Sequence, residues 1–267
     1  MMSLNRGPSS WLVRVVSSFL FLALNLACGR SEPSSEVQSE GSRHVLALMM
    51  AGNNSCHSAA GKPQSPLGAG VYRNFSALVQ KLREGHGIEL DFVASCFTMT
   101  SKIFITHSDD LSQVEQVAED QVLPFIRKFR APEEVSRTIL VGHSYGGWLS
   151  MKTALGLVPL ADTPPAMTLV TIDAISKVNC RVTAPRGCNK PPTDISEGEY
   201  LELSRRSEPW LNFFERRSRV VHGSAIPIAS RNVEIAAGHS EIDNHPEVWA
   251  QIEEAVAGVH RSDAADQ

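Results

Sequence analysis

One segment, Arg137 to Leu155, constrains the chain more than any other: RTILVGHSYGGWLSMKTAL. An apolar run from Thr138 to Val141 meets Gly-His-Ser-Tyr-Gly-Gly, and helix-forming residues follow. A serine at that junction sits on a sharp strand-to-helix turn that projects its hydroxyl from the strand end. Gly142 and Gly146 carry no Cβ, so strand and helix can close tightly around the turn. The pattern therefore predicts a strand over 138–141, a helix from about Tyr145, and a sheet built around them with Ser144 at its carboxyl edge.

The remaining chain supplies the material for that sheet. His44 to Ala51 (HVLALMMA) is a continuous apolar run ended by Gly-Asn-Asn and reads as a buried strand. Residues 52–70 have loop composition. Phe75, Leu78, Val79 and Leu82 recur at helical spacing within 71–83, and Gly85 closes that helix. Strands are expected over 88–95 and 102–106, and a long amphipathic helix over 111–129. After the serine turn, MTLVTI (167–172) reads as a strand ending at Asp173, and 176–200 as a loop. EPWLNFFERRS (208–218) reads as a helix, Arg219 to Val221 as a possible strand, and NVEIA (232–236) as the last strand. A loop over 238–244 leads into a closing helix over 246–259, with Pro246 in its first turn. Trp148 and Trp210 are candidates for a pocket wall or for the core. Uniformly apolar strands alternating with helices imply an α/β fold: a mostly parallel central sheet covered on both faces. Ligands bind such sheets at the carboxyl ends of the strands, where Ser144, Asp173 and the 238–244 loop all fall.

A serine hydroxyl is a weak nucleophile and needs a base, and the base needs a group that orients it. His143 adjoins Ser144, but the turn directs it elsewhere. His239 and His245 both lie before the closing helix. His239 is favoured because Gly238 frees the backbone there, whereas His245 directly precedes Pro246. The orienting acid is expected at Asp173, since a carboxylate ending a buried strand requires a partner; Asp194 is the reserve and Asp162 a weaker choice. A developing oxyanion needs two N–H donors. The amide of Tyr145 is one, and the loop at Gly52 and Asn53 is expected to give the other.

GHSYGG after an apolar strand, with Asp173 and then His239 downstream, resembles the α/β-hydrolase superfamily over roughly residues 44–259. The resemblance implies a Ser144–His239–Asp173 triad and a hydrolase acting through an acyl-enzyme. The short spacing from serine to acid is similar to the thioesterase-type branch. The segment NVEIAAGHSEIDNHPEVW resembles small bacterial hydrolases with a His-x-x-Ile-Asp motif, in which the first histidine is the base, again His239. No large helical cap domain is evident. An ester or thioester hydrolase is the leading expectation. The same triad would serve an amidase or peptidase, and a non-catalytic binding protein on this scaffold is the rival from another class. A dehalogenase would need a carboxylate at position 144.

The N-terminus indicates a destination. Arg6 and Arg14 precede VVSSFLFLALNLA, an apolar run with the layout of an export signal. Ala27-Cys28 resembles a lipoprotein cleavage site, with Cys28 as the lipidated residue. Residues 1–27 are thus expected to be a signal peptide, 28–43 a flexible tether, 44–260 the catalytic domain and 261–267 a disordered tail. The expected location is the bacterial cell envelope, on a lipid anchor or secreted. Four cysteines remain. Cys180 and Cys188 lie close together in a loop, leaving Cys56 with Cys96 as the second disulfide candidate. Metal-ligand spacing is absent from these cysteines, so no metal and no cofactor are expected. A formal net charge of −4 and basic runs no longer than pairs such as Arg205-Arg206 argue against a nucleic-acid partner. The expected partner is a small ester or acyl substrate.

Overall fold

The structure is a computed structural model and describes residues 44–58, 64–65, 69–86, 89–107, 113–128, 135–157, 166–176, 178, 180, 188 and 190–265. The expected signal peptide, Cys28 and the tether therefore lie outside the described residues, as does Asp162. In chain order the elements are β1 (His44–Met50), β2 (His57–Ser58), β3 (Gln64–Ser65), α1 (Gly70–His86), β4 (Glu89–Phe97), β5 (Ile103–His107) and β6 (Glu115–Val117). There follow α2 (Val122–Arg127), β7 (Val135–His143), α3 (Tyr145–Leu157), β8 (Ala166–Ile172), α4 (Glu197–Arg206), β9 (Ser207–Phe214), β10 (Arg231–Glu234) and α5 (Pro246–Ala265).

The main sheet has eight strands in the order β10-β9-β8-β7-β1-β4-β5-β6. From β10 to β4 all neighbours are parallel; β5 and β6 are antiparallel additions at one edge. From β1 the sheet builds outward through β4 to β6, and the chain then returns to add β7 on the other side of β1. This reversal falls at the carboxyl ends of β1 and β7, the place where parallel sheets bind ligands. Gly52 follows β1 and Ser144 follows β7, so the topology alone brings them together.

Both faces are covered, which is why the strands carry no polar alternation. Leu46, Leu48 and Met50 of β1 join Trp148, Leu149 and Met151 of α3 and Phe125 of α2 in one buried layer. Val45, Ala47 and Met49 point the other way, packing with Phe75 and Leu78 of α1 and Val248 and Ile252 of α5. Trp148 and Trp210 are core residues, 2% and 0% exposed, rather than pocket walls.

Several expected elements are replaced. The long helix expected over 111–129 does not form: Glu115–Val117 pairs with β5 as an edge strand, and among the described residues the helical part is a 3-10 turn, Glu119–Gln121, leading into Val122–Arg127. Pro124 falls in the first turn of that short helix, where its missing N–H costs nothing. The helix expected over 208–218 is instead β9, pairing with β8 and β10. Trp210, Phe213 and Phe214 satisfy a helical spacing, but a slot beside β8 outweighs that local pattern. Residues 219–221 are not a strand. The 176–200 stretch ends in α4, which opens on a capping box: Ser196 accepts from the Glu199 amide while the Glu199 carboxylate accepts from the Ser196 amide. The closing helix continues through Ala265, past the expected start of a tail at 261.

Two disulfides, Cys56–Cys96 and Cys180–Cys188, form with the expected pairing. The first joins the loop after β1 to the end of β4. Both belong to the chemistry of an oxidising compartment. Among the described residues no helix is long and apolar enough to cross a membrane.

Candidate active site

The turn between β7 and α3 holds Ser144 at φ 58°, a conformation that L-residues adopt only where the surroundings enforce it. Here they do. The Ser144 amide donates to the Ile172 carbonyl at 3.0 Å, and its own carbonyl accepts from the amides of Gly147 at 3.0 Å and Ile175 at 3.2 Å. Glycine is needed on both sides of the serine. A Cβ at Gly142 would lie 2.3 Å from the Gly146 carbonyl oxygen, and one at Gly146 would lie 1.9 Å from that of Met50.

Asp173, one residue past β8, also has positive φ (47°) and is fully buried. A buried carboxylate must find hydrogen bonds for both oxygens. Its Oδ1 accepts from the backbone amides of Glu215 at 3.0 Å and Gly223 at 2.7 Å. Its Oδ2 lies 2.5 Å from Nδ1 of His239. On the far side of the ring, Nε2 lies 2.9 Å from the Ser144 hydroxyl. The three residues thus form one hydrogen-bonded line, with Nδ1–H donating to the carboxylate and Nε2 free to accept from the serine.

The backbone of His239 is held from two directions. Its amide donates to Oγ of Ser218 at 3.1 Å, and its carbonyl accepts from Nε2 of His143 at 2.8 Å. His143 therefore does turn away from the serine hydroxyl, and it anchors the histidine loop. Burial lowers its pKa from the ordinary 6.5, outweighing the opposing effect of Asp243. The Asp243 carboxylate lies 3.8 Å from Nδ1 of His143 and accepts the Val71 amide at 3.0 Å. Sequence reasoning assigned no role to Asp243, although it closes the His-x-x-Ile-Asp segment, and none to Ser218 and Gly223, whose contacts with the His239 amide and with Asp173 carry no motif.

The rival site residues are placed elsewhere. His245 opens α5, its carbonyl accepting from the amide of Val248. Asp194 receives Trp148 Nε1 and the Ser176 hydroxyl, each at 2.5 Å, and so ties Ser176 and Asp194 to α3. For the oxyanion, Tyr145 follows the nucleophile directly; its hydroxyl donates to the Cys180 carbonyl, leaving only its backbone for this purpose. Gly52 abuts the serine: a Cβ there would lie 2.6 Å from Ser144 Cβ. Asn53 follows, half-buried.

One neighbour was not expected. Glu215, the residue after β9, is 0% exposed. A carboxylate oxygen of Asp173, one of Glu215 and a ring nitrogen of His239 lie within 4.8 Å of one another. That spacing would admit a metal ion, but both Asp173 oxygens are already committed to the hydrogen bonds above. Its signal was legible: WLNFF-Glu repeats the pattern of MTLVTI-Asp, an apolar run ending in an acid.

No family model and no curated protein matches this chain. Solved structures do align with it. The lin2722 gene product of Listeria innocua aligns with a TM-score of 0.42 and 12% identity, covering 80% of this chain and 94% of its own. A predicted CIB-like hydrolase of Thermoplasma acidophilum aligns at 0.41 and 13%, covering 81% and 86%. The esterase PF2001 of Pyrococcus furiosus aligns at 0.39 and 10%, covering 82% of each. At such values the functional reading rests on the geometry of the site itself.

Proposed function

We propose that this chain is an exported serine hydrolase that cleaves carboxylic esters or thioesters. The observation that carries the proposal is the line Ser144–His239–Asp173, with contacts of 2.9 Å and 2.5 Å, placed at the carboxyl edge of the sheet. Nε2 of His239 takes the proton as Ser144 Oγ attacks the carbonyl carbon, and Asp173 stabilises the imidazolium that forms. The oxyanion is received by the Tyr145 amide and by an amide of the Gly52–Asn53 loop. His239 then passes its proton to the leaving alkoxide or thiolate, and an acyl group remains on Ser144. Water, deprotonated by the same imidazole, releases the acid.

The two amides on Oδ1 of Asp173 matter to this cycle. They keep a buried carboxylate in place without a counter-cation, so that its other oxygen is left to the imidazole. Export fits the disulfides, and Cys28 is the proposed lipid attachment point.

The test is turnover of a panel of p-nitrophenyl esters and acyl thioesters by the mature protein. Hydrolysis lost by at least about a thousandfold in Ser144→Ala is the expected result. Turnover unchanged in Ser144→Ala would place the chemistry elsewhere.

A further inference from the structure

Glu215 is a buried carboxylate that the mechanism above does not use. Its Oε2 accepts the backbone amides of Arg217 and of Ser218, the latter at 2.9 Å. Ser218 in turn holds the amide of His239, and the amide of Glu215 itself holds Asp173. The other oxygen, Oε1, is buried and has no hydrogen-bond partner. Leaving a buried carboxylate oxygen unpaired is costly, and a purely structural clamp could be made by a neutral glutamine. What only a carboxylate supplies is negative charge, and it lies within 4.8 Å of both Asp173 and the His239 ring.

We infer that Glu215 is a second orienting carboxylate for His239, a positioning residue whose charge stabilises the imidazolium alongside Asp173 and which accepts from Nδ1 when Asp173 is removed. The inference rests on the serine-hydrolase reading. Both acids end adjacent parallel strands, β8 and β9, so sheet register brings them to the same ring from neighbouring positions. Other ionisable groups near the site are His143, with Asp243 behind it, and Glu241, whose carboxylate takes the Gly238 amide. On the 215–223 segment they are Arg217, which meets Glu215 through its backbone amide, and His222, whose Nδ1 lies against the Gly223 carbonyl. None of these reaches Nδ1 from the side of Asp173.

The experiment measures the rate of fluorophosphonate labelling at Ser144 against pH, which needs no knowledge of the substrate. Wild type, Glu215→Gln, Ser218→Ala, Asp173→Ala and His239→Ala are compared. Glutamine keeps an acceptor for the two amides, removes the charge and puts an NH2 group in the place of Oε1. The expected result for Glu215→Gln is an acid limb moved to lower pH by about one unit. Ser218→Ala, which loosens the backbone but keeps the carboxylate, should slow labelling without moving the limb. Asp173→Ala should label at least about tenfold faster than both His239→Ala and the Asp173→Ala/Glu215→Gln double variant. An unmoved limb in Glu215→Gln, or the same displacement in Ser218→Ala, overturns the inference. Should Glu215→Gln not fold, Asp173→Ala decides: labelling no faster than in His239→Ala contradicts a second carboxylate. Wild-type protein that leaves Ser144 unlabelled refutes the hydrolase reading, and this inference with it.

Discussion

Gly52 rests directly on Ser144: a Cβ at residue 52 would lie 2.6 Å from Ser144 Cβ and 3.2 Å from its hydroxyl oxygen. Neither Cβ can rotate away, and the elbow is fixed by four backbone hydrogen bonds of Ser144. Gly52→Ala therefore has to push apart the ends of β1 and β7. A loss of stability of about 1–3 kcal/mol is expected, and on the proposed function ester turnover should fall by at least about tenfold because the Gly52–Asn53 loop moves with it. Urea unfolding and ester turnover on the same preparation check both.

The loop that carries Gly52 is tied down by Cys56–Cys96, which closes 40 residues, against eight for Cys180–Cys188. In the chain-entropy account, loops of these lengths stabilise by about 4 and about 2.5 kcal/mol. Replacing Cys56 and Cys96 together by alanine should lower the melting temperature more than replacing Cys180 and Cys188. It should also slow turnover, since it frees the segment beside the serine. Calorimetry and initial rates of the two double variants test the order.

His143 gives the fold a pH dependence of known sign. Burial lowers its pKa in the folded protein below 6.5, so as pH falls through that value the unfolded chain takes up a proton that the folded chain refuses. Stability accordingly falls with falling pH, by at most about 1.4 kcal/mol per pH unit for one proton. His143→Gln keeps an N–H donor for the His239 carbonyl and cannot titrate. Its stability should decline less between pH 7 and pH 5 than that of wild type, as measured by urea unfolding at several pH values.

Much of this site was legible in the chain. The glycines around Ser144, the acid after the following strand and the histidine before the last helix each answer a need of the nucleophile, and those needs do not depend on distant packing. Choosing His239 over His245 was possible because Pro246 commits its neighbour to helix entry. The failures have a common cause. Residues 115–117 and 207–214 are held as strands by pairing with other segments, β5 just before the first and β8 some way before the second, and pairing outweighs the helical spacing that both stretches also carry. Reading 208–218 as a helix also hid Glu215, because an acid on a helix face is ordinary whereas an acid ending a buried strand is not. The start of α4 was written locally, as Ser196-x-x-Glu199, and needed no partner to be found.

The central claim is that Ser144 is a nucleophile made reactive by His239. It is tested most directly by treating the folded mature protein with a fluorophosphonate and locating the adduct by peptide mass spectrometry. The account predicts a single stoichiometric adduct on Ser144, lost after heat unfolding and reduced by at least about a thousandfold in His239→Ala. Folded protein that carries no adduct on Ser144, or that labels equally well without His239, would contradict it.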